Sequence, residues 1–114
     1  MKVFENIKLP QKERDSILEA VRILKSDLPV TRVILFGSKA RGEGKSDSDI
    51  DLLVLTSHPV SSKVRSTISD LLADVNLRRD VSLTSVVISE QDWSNGLTHY
   101  TLIHHEVERD GCEI

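Results

Sequence analysis

Residues 37–52 read Gly37-Ser38-Lys39-Ala40-Arg41-Gly42-Glu43-Gly44-Lys45-Ser46-Asp47-Ser48-Asp49-Ile50-Asp51-Leu52. A Gly-Ser turn closes the apolar run Thr31-Arg32-Val33-Ile34-Leu35-Phe36. After ten intervening residues, an Asp-x-Asp opens a second apolar run that continues to Leu55. Side chains two apart on a strand share a face, so Asp49 and Asp51 converge, roughly 6–7 Å apart at Cα. Two like charges held together call for a cation, and hard carboxylate oxygens favour Mg²⁺. The Gly-Ser turn offers backbone N–H groups as a cradle for phosphate. Gly37 lets the backbone approach a triphosphate with no Cβ in the way, and Ser38 adds a hydroxyl donor. Metal and phosphate cradle together point to nucleotide chemistry. The plainer reading makes the two carboxylates surface residues at the start of an edge strand. The run Ile50, Leu52, Leu53, Val54, Leu55 argues instead for a strand buried on both faces, where an uncompensated carboxylate is costly.

The flanking sequence predicts an α/β order around this block. Residues 11–27 form an amphipathic helix with Ile17, Leu18, Val21, Leu24 and Leu28 on one face. Pro10 precedes it and Pro29 ends it. Residues 31–36 and 49–55 are buried strands, joined by a Gly- and Ser-rich loop with room for one helical turn around Ala40. His58-Pro59 breaks the chain. A second helix over residues 60–77 turns Val64, Ile68, Leu71, Leu72 and Val75 inward. Residues 80–88 form a third strand. Ser89 to Asp92 has the pattern of a capping box with Ser89 as N-cap, and Trp93 seats the turn that follows. A last helix, residues 97–110, points Leu97, Tyr100, Ile103 and Val107 inward and stops at Gly111. Phe36, Trp93 and Tyr100 are expected in the core.

Two other motifs lose to plainer readings. Gly44-Lys45-Ser46 has the form of a P-loop tail, but Lys39 stands where that pattern needs glycine, and a strand follows instead of a helix. In His104-His105-Glu106, helical neighbours diverge by about 100° and make poor co-ligands, so a solvated helix face is expected. The sequence assigns no role to His58 or His99.

The block Gly37, Ser38, Ala40, Arg41, Gly42, Ser48, Asp49, Asp51 and Leu52 resembles the signature of the DNA polymerase beta-like nucleotidyltransferase superfamily: Gly-Ser, ten residues, Asp-x-Asp. It looks most like the minimal nucleotidyltransferases, a small prokaryotic branch whose members serve as antitoxins to HEPN-domain toxin RNases. Elsewhere the match is in element order and in the third strand. The resemblance implies an α/β (α+β) fold, a small mixed β-sheet with helices packed on it. It implies two Mg²⁺ ions on Asp49 and Asp51, one carried in with the nucleotide, stabilising attacking and leaving oxygens of an in-line displacement.

The superfamily also needs a third carboxylate on a neighbouring strand. Asp80 is the candidate, to share the second metal and deprotonate the acceptor hydroxyl. Asp80 and Ser82 fall on one face, so alternation does not choose between them; a register on Ser82 leaves the carboxylate missing. Gly37, Ser38, Arg41 and Lys45 would bind the nucleotide, the two cations neutralising pyrophosphate or remaining solvated loop charges. The implied reaction moves a nucleoside monophosphate, AMP from ATP, to a hydroxyl, taken to be a tyrosine of a HEPN toxin. Two rivals stand beside it: a non-catalytic module that neutralises its partner sterically, and a transferase acting on a small molecule.

At 114 residues the chain makes one domain, 1–114. Larger nucleotidyltransferases hold the acceptor with an extra domain, so here a partner would supply that surface. Fifteen Lys and Arg against eighteen Asp and Glu give a net charge of −3. That balance argues against stand-alone nucleic-acid binding, which needs cations to neutralise phosphate. Lys39, Arg41 and Lys45 still make a local basic spot beside the turn. The single cysteine, Cys112, excludes a disulfide within the chain and reads as inert. No apolar run approaches about 18 residues, and residues 1–10 carry no leader pattern, so a cytoplasmic protein is expected. Assembly into a homo-oligomer stays open.

Overall fold

The computed structural model describes residues 2–96 and 101–114. In chain order these form β1 (Lys2–Val3), a 3-10 turn (Phe4–Asn6), α1 (Gln11–Asp27), β2 (Val30–Phe36), β3 (Ile50–Thr56), α2 (Ser62–Arg79), β4 (Leu83–Ser89), α3 (Glu90–Asn95), α4 (Leu102–Asp110) and β5 (Cys112–Glu113). One five-stranded mixed sheet runs β1-β5-β2-β3-β4. β2 is antiparallel to β3 and β5, whereas β3 and β4 are parallel and connected through α2.

The sheet is covered on both faces, as its apolar central strands require. On one face Val33, Leu35, Leu52 and Val54 pack with Ile17 and Leu24 of α1 and Ile68, Leu72 and Val75 of α2. On the other, Ile34, Phe36, Leu53 and Leu55 pack with Trp93 of α3 and Val107 of α4. Parity along β3 therefore puts Asp51 on the α3/α4 side and Ile50 on the α1/α2 side. Ser61 caps α2 through its side chain, and Ser89 caps α3 by accepting from the Asp92 N–H at 3.1 Å.

Several expectations need correction. The third strand begins at Leu83, not residue 80, because α2 runs through Arg79 and closes on Asp80 in a left-handed conformation, φ 54°. Leu18 is 46% exposed and lies off the buried stripe of α1. His104 is not on a solvated face: it is 5% exposed and stacks on Trp93 with ring centroids 4.3 Å apart. The short strands β1 and β5 extend the sheet at the edge away from β4. In the last helix, Val107 is buried and Ile103 half-buried; Leu97, His99 and Tyr100 lie outside the described residues.

Candidate active site

The site lies at one end of β3, where the loop 37–48 returns to the sheet. Gly37 follows β2 with φ +78°, a left-handed conformation that favours glycine. A Cβ there would overlap the Asp51 carboxylate, whose Oδ2 faces the turn. The Gly37-Ser38 turn and the Asp51 carboxylate are thus in direct contact. The chain then winds through a tight turn: the Ala40 N–H donates to Gly37 O at 3.1 Å and the Glu43 N–H to Ser38 O at 3.0 Å. Among the described residues, the Ser38 N–H and hydroxyl have no hydrogen-bond partner. Those donors are available to an anion.

Asp49 lies one residue before β3, and Asp51 pairs with Phe36 of β2 and Thr84 of β4. Each carboxylate accepts a hydroxyl from the strand-four side. Ser82 Oγ donates to Asp49 Oδ1 at 2.6 Å, and Thr84 Oγ1 donates to Asp51 Oδ1 at 2.9 Å. Sequence reasoning weighed Ser82 and missed Thr84; once the parallel register is known, alternation places both on the Asp face. Asn76 of α2 sets that register. Its side chain donates to Leu83 O at 3.1 Å and accepts from the Leu83 N–H at 2.8 Å.

The expected partners divide. Gly37, Ser38, Asp49 and Asp51 come together. Asp80 does not join them: its side chain is fully exposed, 3.6 Å from Lys12 Nζ. Among the described residues no three His, Cys, Asp or Glu side chains make a group able to hold a metal ion. The basic spot is also thinner than expected. Lys39 is 3% exposed and lies inside the loop, its ammonium 2.9 Å from Glu13 Oε1 and 2.8 Å from Lys45 O. Glu13 sits on the polar-looking start of α1, so nothing in its local pattern announces burial. Arg41 is engaged by Glu43 at 3.1 Å and Asp110 at 3.7 Å, and its pKa is raised, chiefly by the Glu43 hydrogen bond. Lys45 is exposed and makes no ion pair among the described residues.

The family model described as a nucleotidyltransferase domain matches residues 17–98, a span that contains the turn, both carboxylates and β4. The chain belongs to the nucleotidyltransferase domain family. A similar curated protein is MJ0141 of Methanocaldococcus jannaschii, named as a candidate protein adenylyltransferase. It is 29% identical over 104 residues, covering 86% of this nucleotidyltransferase and 98% of MJ0141. Among solved structures, a toxin–antitoxin crystal structure with AMP-PNP matches at TM-score 0.59 and 19% identity, covering 87% of this chain and 69% of that one. The complex of a tri-AMPylated Shewanella oneidensis HEPN toxin with an MNT antitoxin matches at TM-score 0.53 and 17% identity, covering 90% and 69%. These two likenesses establish the nucleotidyltransferase fold. Among the described residues no helix is long and apolar enough to cross a membrane.

Proposed function

We propose that this nucleotidyltransferase transfers AMP from ATP to a hydroxyl, a tyrosine of a partner HEPN-domain toxin, and so acts as that toxin's antitoxin. The observation that supports the reading is the contact of Gly37 with Asp51: a turn suited to cradle a triphosphate lies against a carboxylate suited to hold a metal ion. The likeness to MJ0141 and to solved toxin–antitoxin complexes supports the choice of protein acceptor and partner.

The reading assigns a role to each residue. Gly37 and the free donors of Ser38 hold the triphosphate. Asp49 and Asp51 hold Mg²⁺; two carboxylates backed by neutral hydroxyls are a fitting hard-oxygen donor set for one such ion. Bound there, the ion offsets the charge of the triphosphate and of the departing pyrophosphate. Lys45 is the loop cation left to help. Arg41 acts only if it exchanges Glu43 for phosphate. The acceptor oxygen forms a bond to the α-phosphorus. The bond from that phosphorus to the bridging oxygen breaks, and pyrophosphate leaves with the electron pair.

Co-expression with a HEPN-domain protein encoded by a neighbouring gene tests the reading. Intact mass of the toxin should rise by whole AMP increments, and the Asp51→Asn variant should leave it unmodified. A toxin neutralised by the wild type with no added mass would replace transfer by steric neutralisation.

A further inference from the structure

Two divalent ions carry four positive charges and the Asp pair offsets two, so a second ion calls for a further acid beside the pair; the position that faces the pair carries a hydroxyl. In the parallel ladder Ile50 pairs with Leu83 and Asp51 with Thr84. One step earlier, the Ile50 N–H donates to Ser82 O at 2.8 Å, and Ser82 Oγ donates to Asp49 at 2.6 Å. The backbone and side-chain bonds agree that residue 82 faces Asp49. Asp80 precedes it by two residues, but the left-handed turn at the end of α2 takes it off the strand. It lines a small cavity of about 220 Å³ with Lys12, Asp47 and Ser82. Its carboxylate points to solvent and pairs with Lys12. Neutral serine is a weak ligand for a hard divalent ion and no base at neutral pH.

Resting on the nucleotidyl-transfer reading above, we propose that this chain binds a single divalent ion with its nucleotide, because the position facing the Asp pair supplies no third carboxylate. The ion sits on Asp49 and Asp51, beside the turn that Asp51 Oδ2 faces. β4 is the last strand of the sheet, and Asp49, Ser82 and Thr84 are all exposed. An acceptor can therefore reach the pair across that edge. In the transfer its hydroxyl oxygen bonds to the α-phosphorus, pyrophosphate leaves with the electron pair of the broken bond, and the hydroxyl proton is released to solvent.

The test counts ions, not turnover. Mn²⁺, read by electron paramagnetic resonance, is titrated into the chain with a non-cleavable ATP analogue. One bound Mn²⁺ per chain is expected for the wild type and for Asp80→Asn, and two for Ser82→Asp. The Ser82→Asp variant should also melt lower than wild type without metal, from carboxylate repulsion, and gain more on adding Mn²⁺. Two ions on the wild type, falling to one in Asp80→Asn, would overturn the inference and restore Asp80 as the third ligand. One ion on a folded Ser82→Asp would overturn the assignment of position 82. Neither ion nor nucleotide bound to the wild type would sink the transfer reading itself. If Ser82→Asp does not fold, the wild-type and Asp80→Asn counts still decide.

Discussion

Lys39→Met isolates the least expected feature of the loop. The substitution keeps the apolar stem that packs beneath Gly44 and removes the ammonium. Glu13 would then be a buried carboxylate with no cation beside it, because the ammonium that donates to its Oε2 at 3.2 Å and lies 2.9 Å from its Oε1 is gone. Removing one member of a buried pair costs about 3–5 kcal/mol, whereas replacing both by apolar groups is often close to neutral. The Lys45 carbonyl loses the ammonium but keeps the Ser48 N–H at 3.0 Å and the Ser48 hydroxyl at 2.8 Å, so it stays satisfied. For a domain of this size 1 kcal/mol corresponds to about 4 °C. A fall in Tm on the order of 12–20 °C is therefore expected for Lys39→Met. Glu13→Leu combined with Lys39→Met should recover most of it. Urea unfolding of wild type, both single variants and the double variant gives the coupling energy directly. MgATP affinity of the double variant, by calorimetry, should match wild type, since Lys39 props the turn from behind. The reasoning fails if Lys39→Met loses less than about 1 kcal/mol while ATP affinity collapses. That pattern would make Lys39 a phosphate ligand in solution.

Gly37→Ala should cost about 1–2 kcal/mol in stability from the left-handed backbone alone, and should weaken ATP binding further because its methyl displaces the Asp51 carboxylate; a melt and a titration check both. Asp49→Asn and Asp51→Asn should each abolish Mg²⁺-dependent ATP binding while leaving the metal-free Tm within a few degrees of wild type, because each removes one of two neighbouring like charges. Asn76→Ala should cost about 1–3 kcal/mol by breaking both bonds to Leu83, with a lower ATP affinity as β4 loosens beside Asp49 and Asp51. Glu19 should contribute to acid stability. Hydrogen bonds from Arg78 and then Arg79 hold its carboxyl down to about 2, from an ordinary 4.5. A lowered folded pKa means its contribution is present above pH 4.5 and fades as pH falls toward 2. The stability gap between wild type and Glu19→Gln, measured by urea unfolding, should close across that window; a gap constant from pH 6 to 2 would contradict the assignment.

The legible parts of this protein were those written in short-range pattern. The apolar stripes of α1 and α2, the continuous run of β2, the Ser89 cap and the Gly37-Ser38/Asp49-x-Asp51 block all declare themselves within a few residues. Parity alone put both aspartates on one face. Whatever depended on a partner far along the chain stayed hidden. Whether Asp80 or Ser82 faces Asp49 is decided by how far α2 continues and where Asn76 grips Leu83, and alternation says nothing of either. Burial of Lys39 depends on Glu13, 26 positions away. His104 reads as solvated from its charged neighbours, yet Trp93 of another element covers it. β1 and β5 are two residues each, too short to show a period, and exist because each gives the other a hydrogen-bonding neighbour.

The position of β5 has a consequence for how the protein is made. Cys112 and Glu113 pair with Leu35 and Ile34, so the central strand lacks its outer neighbour until the far end of the chain has been synthesised. At about 5–20 residues per second, that interval is on the order of ten seconds. Throughout it a nascent chain on the ribosome carries Val33-Ile34-Leu35 with one bare edge, a run of apolar residues with unpaired N–H and C=O groups. Such an edge recruits other strands, including those of sister chains on the same message. Chains released early, short of Cys112, would keep that edge for good. They should partition to inclusion bodies or proteases even though helices, turn and both aspartates are already present in them.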